Sequence, residues 1–333
     1  MEHHTLYCGE TPAFLRACAE APCMQRLRAV GMNCGCEYTS FPRFAGLAPY
    51  SRFDHSLGAA RIVWHFTHDE KQAAAALLHD VASPVFAHVV DFLHGDYLTQ
   101  ESTEEGTEAI IARDETLVRA LKQAGLSVAD VCDYHRYPIA DNDSPRLSAD
   151  RLEYTLGNLL NYGIRTLAGV KAIYEDLTVA AAEDGQPELT FLSPAVAKDF
   201  AEASLVCSKI YVSDEDRYAM QMLSEVLGGA LETGVLKEAD LMTTEPEVIG
   251  KLLSDGAARA AWLRFRSFSA MLCADAPHGG AAWRIVPAKK RYIDPLISGR
   301  GRASAVFPDL KDAIDAFLRE PQTRFLAAVE TLN

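Results

Sequence analysis

Two histidines and two aspartates that could share one metal ion stand in three separate segments of the sequence. His55 comes first, His79 and Asp80 are adjacent at the end of an apolar run, and Asp150 lies far downstream. Imidazole binds divalent transition metals well, and carboxylates offset part of the charge of such ions. The residue types and their order, within helix-like sequence, therefore predict a metal site.

The phrases around these residues resemble the HD-domain phosphohydrolase superfamily, whose ordered metal signature is His, then His-Asp, then Asp. The likeness is nearest to the deoxynucleoside triphosphate triphosphohydrolase branch. That branch shares the phrase Arg-Phe-acid-His-Ser-Leu-Gly seen at 52–58 and a His-Asp…Phe…His phrase seen at 79–88. The resemblance covers residues 24–165. It implies an all-α fold and metal-dependent hydrolysis of a phosphoester or phosphoanhydride bond.

The resemblance implies that the ion has four protein ligands: His55, His79, Asp80 and Asp150. A lone His or Asp is usually an ordinary core or surface residue, but burying two acids without a cation costs free energy. One ion is expected, since four protein ligands leave places for water and a phosphate oxygen on an octahedral metal. Mn, Mg, Fe, Ni and Zn all remain candidates for this divalent cofactor.

Arg52, three residues before His55, is predicted to bind phosphate. The planar guanidinium suits phosphate oxygens, and a place near the ion would let it stabilise charge that develops during the reaction. The other interpretation is an ordinary salt bridge with Asp54 or another acid. The resemblance favours the phosphate role, so Arg52 is expected to act in both catalysis and substrate binding.

His88 and Asp91 follow Ser83-Pro84, where the sequence predicts a helix cap and a first-turn proline. Their spacing of three places both on one helical face, so that the acid could orient the imidazole. In the resembled branch, residues at these two places line the active site. This implies that His88 contacts phosphate or protonates the leaving oxygen and that Asp91 positions it. A capped surface pair is the alternative.

Arg151 and Tyr154 follow Asp150 by one and four positions. The resembled enzymes place a basic and an aromatic residue here, in contact with phosphates and the nucleoside, which implies a substrate-binding role for both. At four residues after Asp150, Tyr154 is expected on the same side of the helix. Simple packing of the Tyr154 ring is the alternative.

Two positions depart from the resembled branch. Ser83 stands where that branch has a further active-site His, and Gln100 stands where it has the His of a His-Glu pair. Neither Ser nor Gln can act as an imidazole acid near neutral pH. We therefore expect an intact metal site with altered leaving-group chemistry, and His135 and Glu101 are candidates to replace the missing acid.

The acidic composition limits the partners of the protein. The 333 residues carry a net charge of −14, which argues against nucleic-acid binding because that requires a basic face. A small anionic substrate is compatible, because an ion and a few arginines can make one cleft positive. No apolar run reaches the length of a membrane span and no secretory signal is visible, so the sequence predicts a cytoplasmic protein without membrane contact.

One basic cluster stands out in this acidic chain, formed by Lys289, Lys290 and Arg291 and followed by Arg300 and Arg302. It could be a solvated face. It could also be a phosphate-contacting tail, or a nucleotide site at a subunit interface of a homo-oligomer. Both interpretations stay open.

The predicted architecture is an all-α HD-domain helical bundle with a C-terminal helical elaboration. Apolar residues recur at helical spacing along most of the chain. We expect an HD phosphohydrolase core over 1–185 and a C-terminal helical extension packed on it over 186–333. The segment 283–298 could form one short β-hairpin, and 309–332 is expected to close the chain as a pair of amphipathic helices.

These expectations converge on a metal-dependent phosphohydrolase that acts on nucleotides or related small phosphate esters and is similar to the dNTP triphosphohydrolases. A phosphomonoesterase of the 5′-nucleotidase type is the alternative enzyme, because it would need only one phosphate pocket. A non-catalytic regulator that binds metal or nucleotide is the alternative of another class, and Ser83 and Gln100 keep it open. Turnover of any phosphate ester would separate an enzyme from a regulator.

Overall fold

Helices dominate the protein and make up 56% of the residues that the structure describes. The computed structural model describes residues 2–7, 10–93, 95 and 106–331, so that Gln100 and Glu101 lie outside the described residues. The helices of the first half are α1 (Ala13–Ala19), α2 (Pro22–Arg26), α3 (Arg52–Thr67), α4 (Glu70–Leu78), α5 (Val89–Leu93), α6 (Thr107–Arg113), α7 (Glu115–Gln123), α8 (Val128–Val131), α9 (Ala149–Asn161) and α10 (Leu167–Glu175). Those of the second half are α11 (Pro194–Ile210), α12 (Asp214–Glu232), α13 (Glu245–Ser254), α14 (Gly256–Arg266), α15 (Ala303–Val306) and α16 (Pro308–Arg319).

Two small sheets show that the all-α prediction was too strong. The strands are β1 (Leu177–Ala181), β2 (Pro187–Phe191), β3 (Phe268–Ala274), β4 (Leu296–Ile297), β5 (Gly301–Arg302) and β6 (Phe325–Glu330). One sheet has the order β1-β2-β4-β5, with β2 and β4 parallel and the other pairs antiparallel. The other sheet pairs β3 with β6 antiparallel. Each sheet joins segments that are distant in sequence, which short-range apolar periodicity does not reveal.

The C-terminal predictions were wrong in detail. The segment 309–332 holds only one helix, α16, because Pro321 cannot continue a helix and β6 then pairs with β3. The hairpin expected within 283–298 does not form there. Instead, β4, at the end of that segment, pairs with β5, which lies beyond it. Arg284 forms an isolated β-bridge with Leu326 of β6.

Buried apolar residues form two clusters. The first surrounds α3, α4, α9 and α11 and also includes residues of α16. The second surrounds α12, α13 and α14 and also includes residues of α5. The division of the chain at residue 185 stays a prediction. None of the described helices is both long enough and apolar enough to cross a bilayer.

The start of α3 is fixed by a capping box. The Ser51 hydroxyl accepts a hydrogen bond from the Asp54 backbone N–H, and the Asp54 carboxylate accepts from the Ser51 backbone N–H at 3.2 Å. This arrangement satisfies two backbone donors that a helix start would otherwise leave unpaired. Ser51 is thus the N-cap, and His55 lies within the first turns of α3.

Close contact between α3 and α9 depends on Gly58. A Cβ atom built on Gly58 would lie 2.5 Å from the Oε1 atom of Glu153, which is on α9. Real Cβ atoms do not approach so closely, so a side chain here would push the two helices apart. The glycine lets Glu153 reach the inner face of α3 beside His55.

The segment between α4 and α5 is made of turns, although the sequence predicted a helix from Pro84. Phe86 and Ala87 have φ angles of 56° and 46°, in the left-handed region. A helix cannot run through two such residues. The helix α5 therefore begins only at Val89, so that His88 lies just before it and Asp91 lies within it.

Candidate metal centre

Ligand atoms of the four predicted metal-binding residues converge at the inner ends of three helices. The Nε2 atom of His55 lies 3.2 Å from Nε2 of His79 and 2.9 Å from Oδ1 of Asp150. The Oδ2 atom of Asp80 lies 3.9 Å from Nε2 of His55 and 3.6 Å from Nε2 of His79. Atoms held about 2.1 Å from one ion lie about 3 to 4 Å from each other. The donor atoms of His55, His79 and Asp80 therefore fit one divalent ion, and Asp150 lies beside both imidazoles.

Burial and charge prepare these groups for a cation. His55, His79 and Asp80 are buried, and Asp150 is partly exposed. Burial favours the neutral form of the Asp80 carboxyl, but the positive charges of Arg52, His79 and His55 outweigh it and hold its pKa below the usual range. Asp80 is therefore an ionised carboxylate, as a metal ligand must be.

Glu153, on α9, orients the imidazole of His55 from behind. Its Oε2 atom lies 2.6 Å from Nδ1 of His55, and its Oε1 atom lies 3.0 Å from Nε2 of His4. The hydroxyl of Tyr50 donates a short hydrogen bond to the same carboxylate. A carboxylate that accepts a hydrogen bond from the Nδ1–H leaves the Nε2 lone pair free for a metal ion. Glu153, Tyr50 and His4 thus support the site without facing the ion.

Sequence reasoning missed this supporting network. Glu153 follows Asp150 by three residues on α9, so both are expected on one helical face, and this spacing was the available signal. His4 and Tyr50 carry no such signal, because only the fold brings them to Glu153.

Arg52 contacts Asp80, not Asp54. A terminal guanidinium nitrogen of Arg52 donates to both carboxylate oxygens of Asp80, each at 3.0 Å. The Asp54 carboxylate instead accepts from the Ser51 hydroxyl at 2.6 Å. The Nε atom of Arg52 is buried and has no hydrogen-bond partner among the described residues. Arg52 is thus fixed beside the candidate ligands.

Ser83 also contacts Asp80. Its hydroxyl donates a hydrogen bond to Oδ1 of Asp80 at 2.8 Å and is fully buried. A hydroxyl in this place orients the carboxylate, and it supplies no acid near neutral pH.

His88 and Asp91 form the pair that their spacing predicted. The Nδ1 atom of His88 lies 2.8 Å from Oδ2 of the fully buried Asp91. Burial lowers the pKa of the His88 imidazole, although the hydrogen bond to Asp91 opposes that change. The ring is therefore neutral near pH 7, with its tautomer fixed by Asp91.

The guanidinium of Arg151 binds the loop before α9. It donates to Oδ1 of Asp141 at 3.2 Å and to the carbonyl of Arg146 at 2.7 Å, and it also contacts Asn142. Asp141 in turn holds the imidazole of His135 at 2.7 Å. The structure therefore places Arg151 and His135 together around Asp141.

Tyr154 lies beside the candidate ligands. Its ring centroid is 6.3 Å from that of His55 and 6.2 Å from that of Tyr211. It lines a small cleft that also includes Arg291 of the basic cluster. Tyr154 therefore lies next to both the candidate metal centre and a cleft, as a substrate-binding residue should.

The carboxyl groups of Glu37 and Glu245 lie close together, near Arg52. A Cβ atom built on Gly31 would lie 2.6 Å from Oε1 of Glu37 and 3.4 Å from Oε1 of Glu245. Glu245 accepts from the Gly31 N–H and the Tyr38 hydroxyl, whereas Oε2 of Glu37 is buried without a partner among the described residues. Burial, and then the Glu245 charge, raise the pKa of Glu37 to about 8.

Curated proteins similar to this chain include one phosphohydrolase. No protein-family model matches the chain. It is 24% identical over 203 residues to YdhJ, an uncharacterised protein of Bacillus subtilis, and the match covers 61% of each chain. It is 26% identical over 205 residues to cns2, a metal-dependent phosphohydrolase of Cordyceps militaris, and the match covers 59% of this chain and 57% of the relative. The chain thus spans about three fifths of the length of these curated relatives.

Solved structures share the fold along almost the whole chain. A phosphohydrolase from Bacteroides thetaiotaomicron superposes with a TM-score of 0.67 at 17% identity, over 97% of both chains. A hypothetical protein from Aquifex aeolicus superposes with a TM-score of 0.64 at 19% identity, over 96% of this chain and 93% of that one. The chain therefore has a fold that a phosphohydrolase also has.

Proposed function

We propose that this protein is an HD-type, metal-dependent phosphohydrolase that acts on nucleotides or related small phosphate esters. The observation that carries the proposal is the convergence of two imidazoles and two carboxylates, with a buried arginine beside them. The two imidazole Nε2 atoms lie 3.2 Å apart, and an oxygen of each carboxylate lies within 4 Å of both. The fold shared with a phosphohydrolase and the partial likeness to a metal-dependent one support it.

The ligands of the ion in this proposal are His55, His79, Asp80 and Asp150. A divalent ion held there supplies Lewis acidity toward a phosphoryl oxygen and lowers the pKa of water. Arg52 binds a non-bridging phosphate oxygen, because Asp80 fixes its guanidinium beside the ligands. His88, neutral and oriented by Asp91, contacts phosphate or exchanges a proton with the leaving oxygen.

The likeness to triphosphohydrolases concerns the metal site more than the leaving-group step. Position 83, where that branch has an active-site histidine, holds a serine whose hydroxyl donates to Asp80. Arg151 has its donors engaged by the loop before α9, which favours Tyr154 over Arg151 as the substrate contact. Residence in the cytoplasm and assembly into a homo-oligomer remain predictions.

A metal analysis of the purified protein, combined with a hydrolysis panel, tests this proposal. The panel contains deoxynucleoside triphosphates, nucleoside monophosphates and aryl phosphates. About one divalent ion per chain and metal-dependent release of phosphate or tripolyphosphate are expected. Metal binding without turnover of any substrate would contradict the proposed enzyme and favour the non-catalytic regulator. Release of orthophosphate alone from monophosphates would instead indicate the phosphomonoesterase.

A further inference from the structure

Arg291 is a half-buried cation with no counter-ion. It forms no hydrogen bond and no ion pair with any of the residues that the structure describes. Other arginines of this region are paired, as Arg52 is with Asp80 and Arg302 is with Glu188 at 2.6 Å. Partial burial of an unpaired charge costs free energy. The cost is recovered if an anion binds beside it.

Arg291 lines a small cleft together with Tyr154, Ser208 and Tyr211. The cleft adjoins the candidate metal centre, because the Tyr154 ring lies 6.3 Å from that of His55. The positive charge of Arg291 lowers the pKa of His88 in the same direction as burial, and it opposes the larger rise that burial causes in the pKa of Tyr154. Arg291 therefore lies near enough to both residues for its charge to act on them.

Tyr154 supplies a second free donor in the cleft. Its hydroxyl has no hydrogen-bond partner among the described residues. Burial, followed by the charge of Asp150, raises the pKa of this phenol to about 12. The hydroxyl is therefore protonated and can donate to an anion at neutral pH.

The segment that carries Arg291 is held on both sides. The ammonium of Lys290 donates to the carbonyls of Phe317 and Leu318 at the end of α16. The backbone N–H of Asp294 donates to the carbonyl of Pro145 at 2.8 Å, and Ile293 is buried in the first core cluster. The side chain of Arg291 thus starts from a fixed backbone, as a binding residue should.

We infer that Arg291 and Tyr154 bind a second anionic group of the substrate, one carried by the leaving group. The inference rests on the proposed function, in which Arg52 and the ion take the phosphate that is attacked. The class of substrate is then a phosphoanhydride, whose leaving group is itself a phosphate. This assigns to Arg291 one of the two roles that the sequence left open for the basic cluster.

An anionic leaving group also fits the absence of an imidazole at Ser83. Water adds its oxygen to phosphorus, the bond from phosphorus to the bridging oxygen breaks, and that oxygen keeps the electron pair. The protons of the water pass to the released phosphates or to solvent. A phosphate leaving group is a weak base and needs no proton donor to depart. Arg291 stabilises its charge instead.

The test compares inorganic pyrophosphate with inorganic phosphate. The metal-loaded full chain is titrated calorimetrically with each anion in excess magnesium, and its metal content is measured afterwards. Arg291→Ala and Arg291→Lys are compared with Arg300→Ala, a matched control because Arg300 is exposed on the turn between β4 and β5. Thermal unfolding of every variant shows whether it is folded.

Wild-type and Arg300→Ala protein should bind pyrophosphate at least about tenfold more tightly than phosphate. Arg291→Ala should lose at least about tenfold in pyrophosphate affinity and keep its phosphate affinity within about twofold. Arg291→Lys should recover little, because it lacks the planar fork. Equal losses for both anions, or no loss, would overturn the inference while leaving the proposed function. A wild-type protein that neither binds nor hydrolyses phosphate compounds would overturn both.

Discussion

The Oε2 atom of Glu153 lies 2.6 Å from Nδ1 of His55, on the side of the ring away from the candidate metal ion. This contact decides which nitrogen of His55 can bind metal, because the proton stays on Nδ1. It also joins α3 to α9, the helices that carry the first and last of the four predicted ligands.

Removing the charge of Glu153 should weaken metal binding without removing a ligand. Glu153→Gln keeps the shape of the side chain but no longer stabilises the Nδ1 proton of His55. Metal affinity should fall about 10-fold to 100-fold, measured by competition with a chelator. Glu232→Gln is the matched control, since Glu232 is exposed at the end of α12. An unchanged affinity in Glu153→Gln would show that the carboxylate does not tune His55.

The metal assignment itself is tested by changing the adjacent ligands together. His79→Ala with Asp80→Ala should abolish retention of the roughly one ion per chain that we expect. The measurement is the metal content of the purified protein by mass spectrometry. His278→Ala, a change of an exposed histidine, should retain the ion. A folded double variant with full metal content would mean that the ion binds elsewhere.

Arg52 should matter for turnover more than for metal content. Arg52→Ala should lower turnover by roughly a hundredfold or more, because the guanidinium no longer stabilises charge on the phosphate. Arg52→Lys should restore little, since Lys lacks the two-pronged donor. Steady-state kinetics and metal content are measured on the same preparations. Normal kinetics in Arg52→Ala would leave the contact with Asp80 as a salt bridge only.

Stability should fall as the pH rises from about 5 to about 8. The folded protein holds the Glu37 proton up to a pKa of about 8, whereas an unperturbed Glu releases it near 4.5. In that range the folded protein binds more protons than the unfolded chain, so a higher pH favours unfolding. Glu37→Gln should flatten the fall in the free energy of unfolding, measured with urea. A slope equal to that of Glu232→Gln would contradict the buried-carboxyl interpretation.

The altered leaving-group step should appear in substrate preference. With Ser83 and Gln100 in place of imidazoles, the enzyme should release tripolyphosphate from dNTPs slowly or not at all, because the sugar oxygen is a poor leaving group. Activated aryl phosphates should be hydrolysed faster by the metal-loaded protein, since their leaving groups need little protonation. Product analysis by ion chromatography measures both. Tripolyphosphate release at ordinary enzyme rates would refute this expectation, and His88, His135 or Glu101 would then have to supply the proton.

The structure brings the four predicted ligands together, and the sequence had marked them by residue type, by order and by the family resemblance. Glu153 carried only the signal of its spacing from Asp150, and an acid on an amphipathic helix looks the same whether it faces solvent or a buried imidazole. The pairing of β3 with β6 was also hidden, since two short strands and two helices separate them in the sequence. Local patterns indicate which residues can do chemistry, but long-range packing decides what surrounds them.

Gly58, which ends the phrase Arg-Phe-acid-His-Ser-Leu-Gly, sets the distance between α3 and α9. The space that its missing side chain leaves is occupied by Glu153, so these two positions are complementary in volume. A search for proteins with the same centre gains from requiring the glycine and the downstream glutamate together. A sequence that keeps the four predicted ligands but has a larger side chain at position 58 must hold the helices equivalent to α3 and α9 farther apart. The distances between its ligand atoms would then differ from those in this protein.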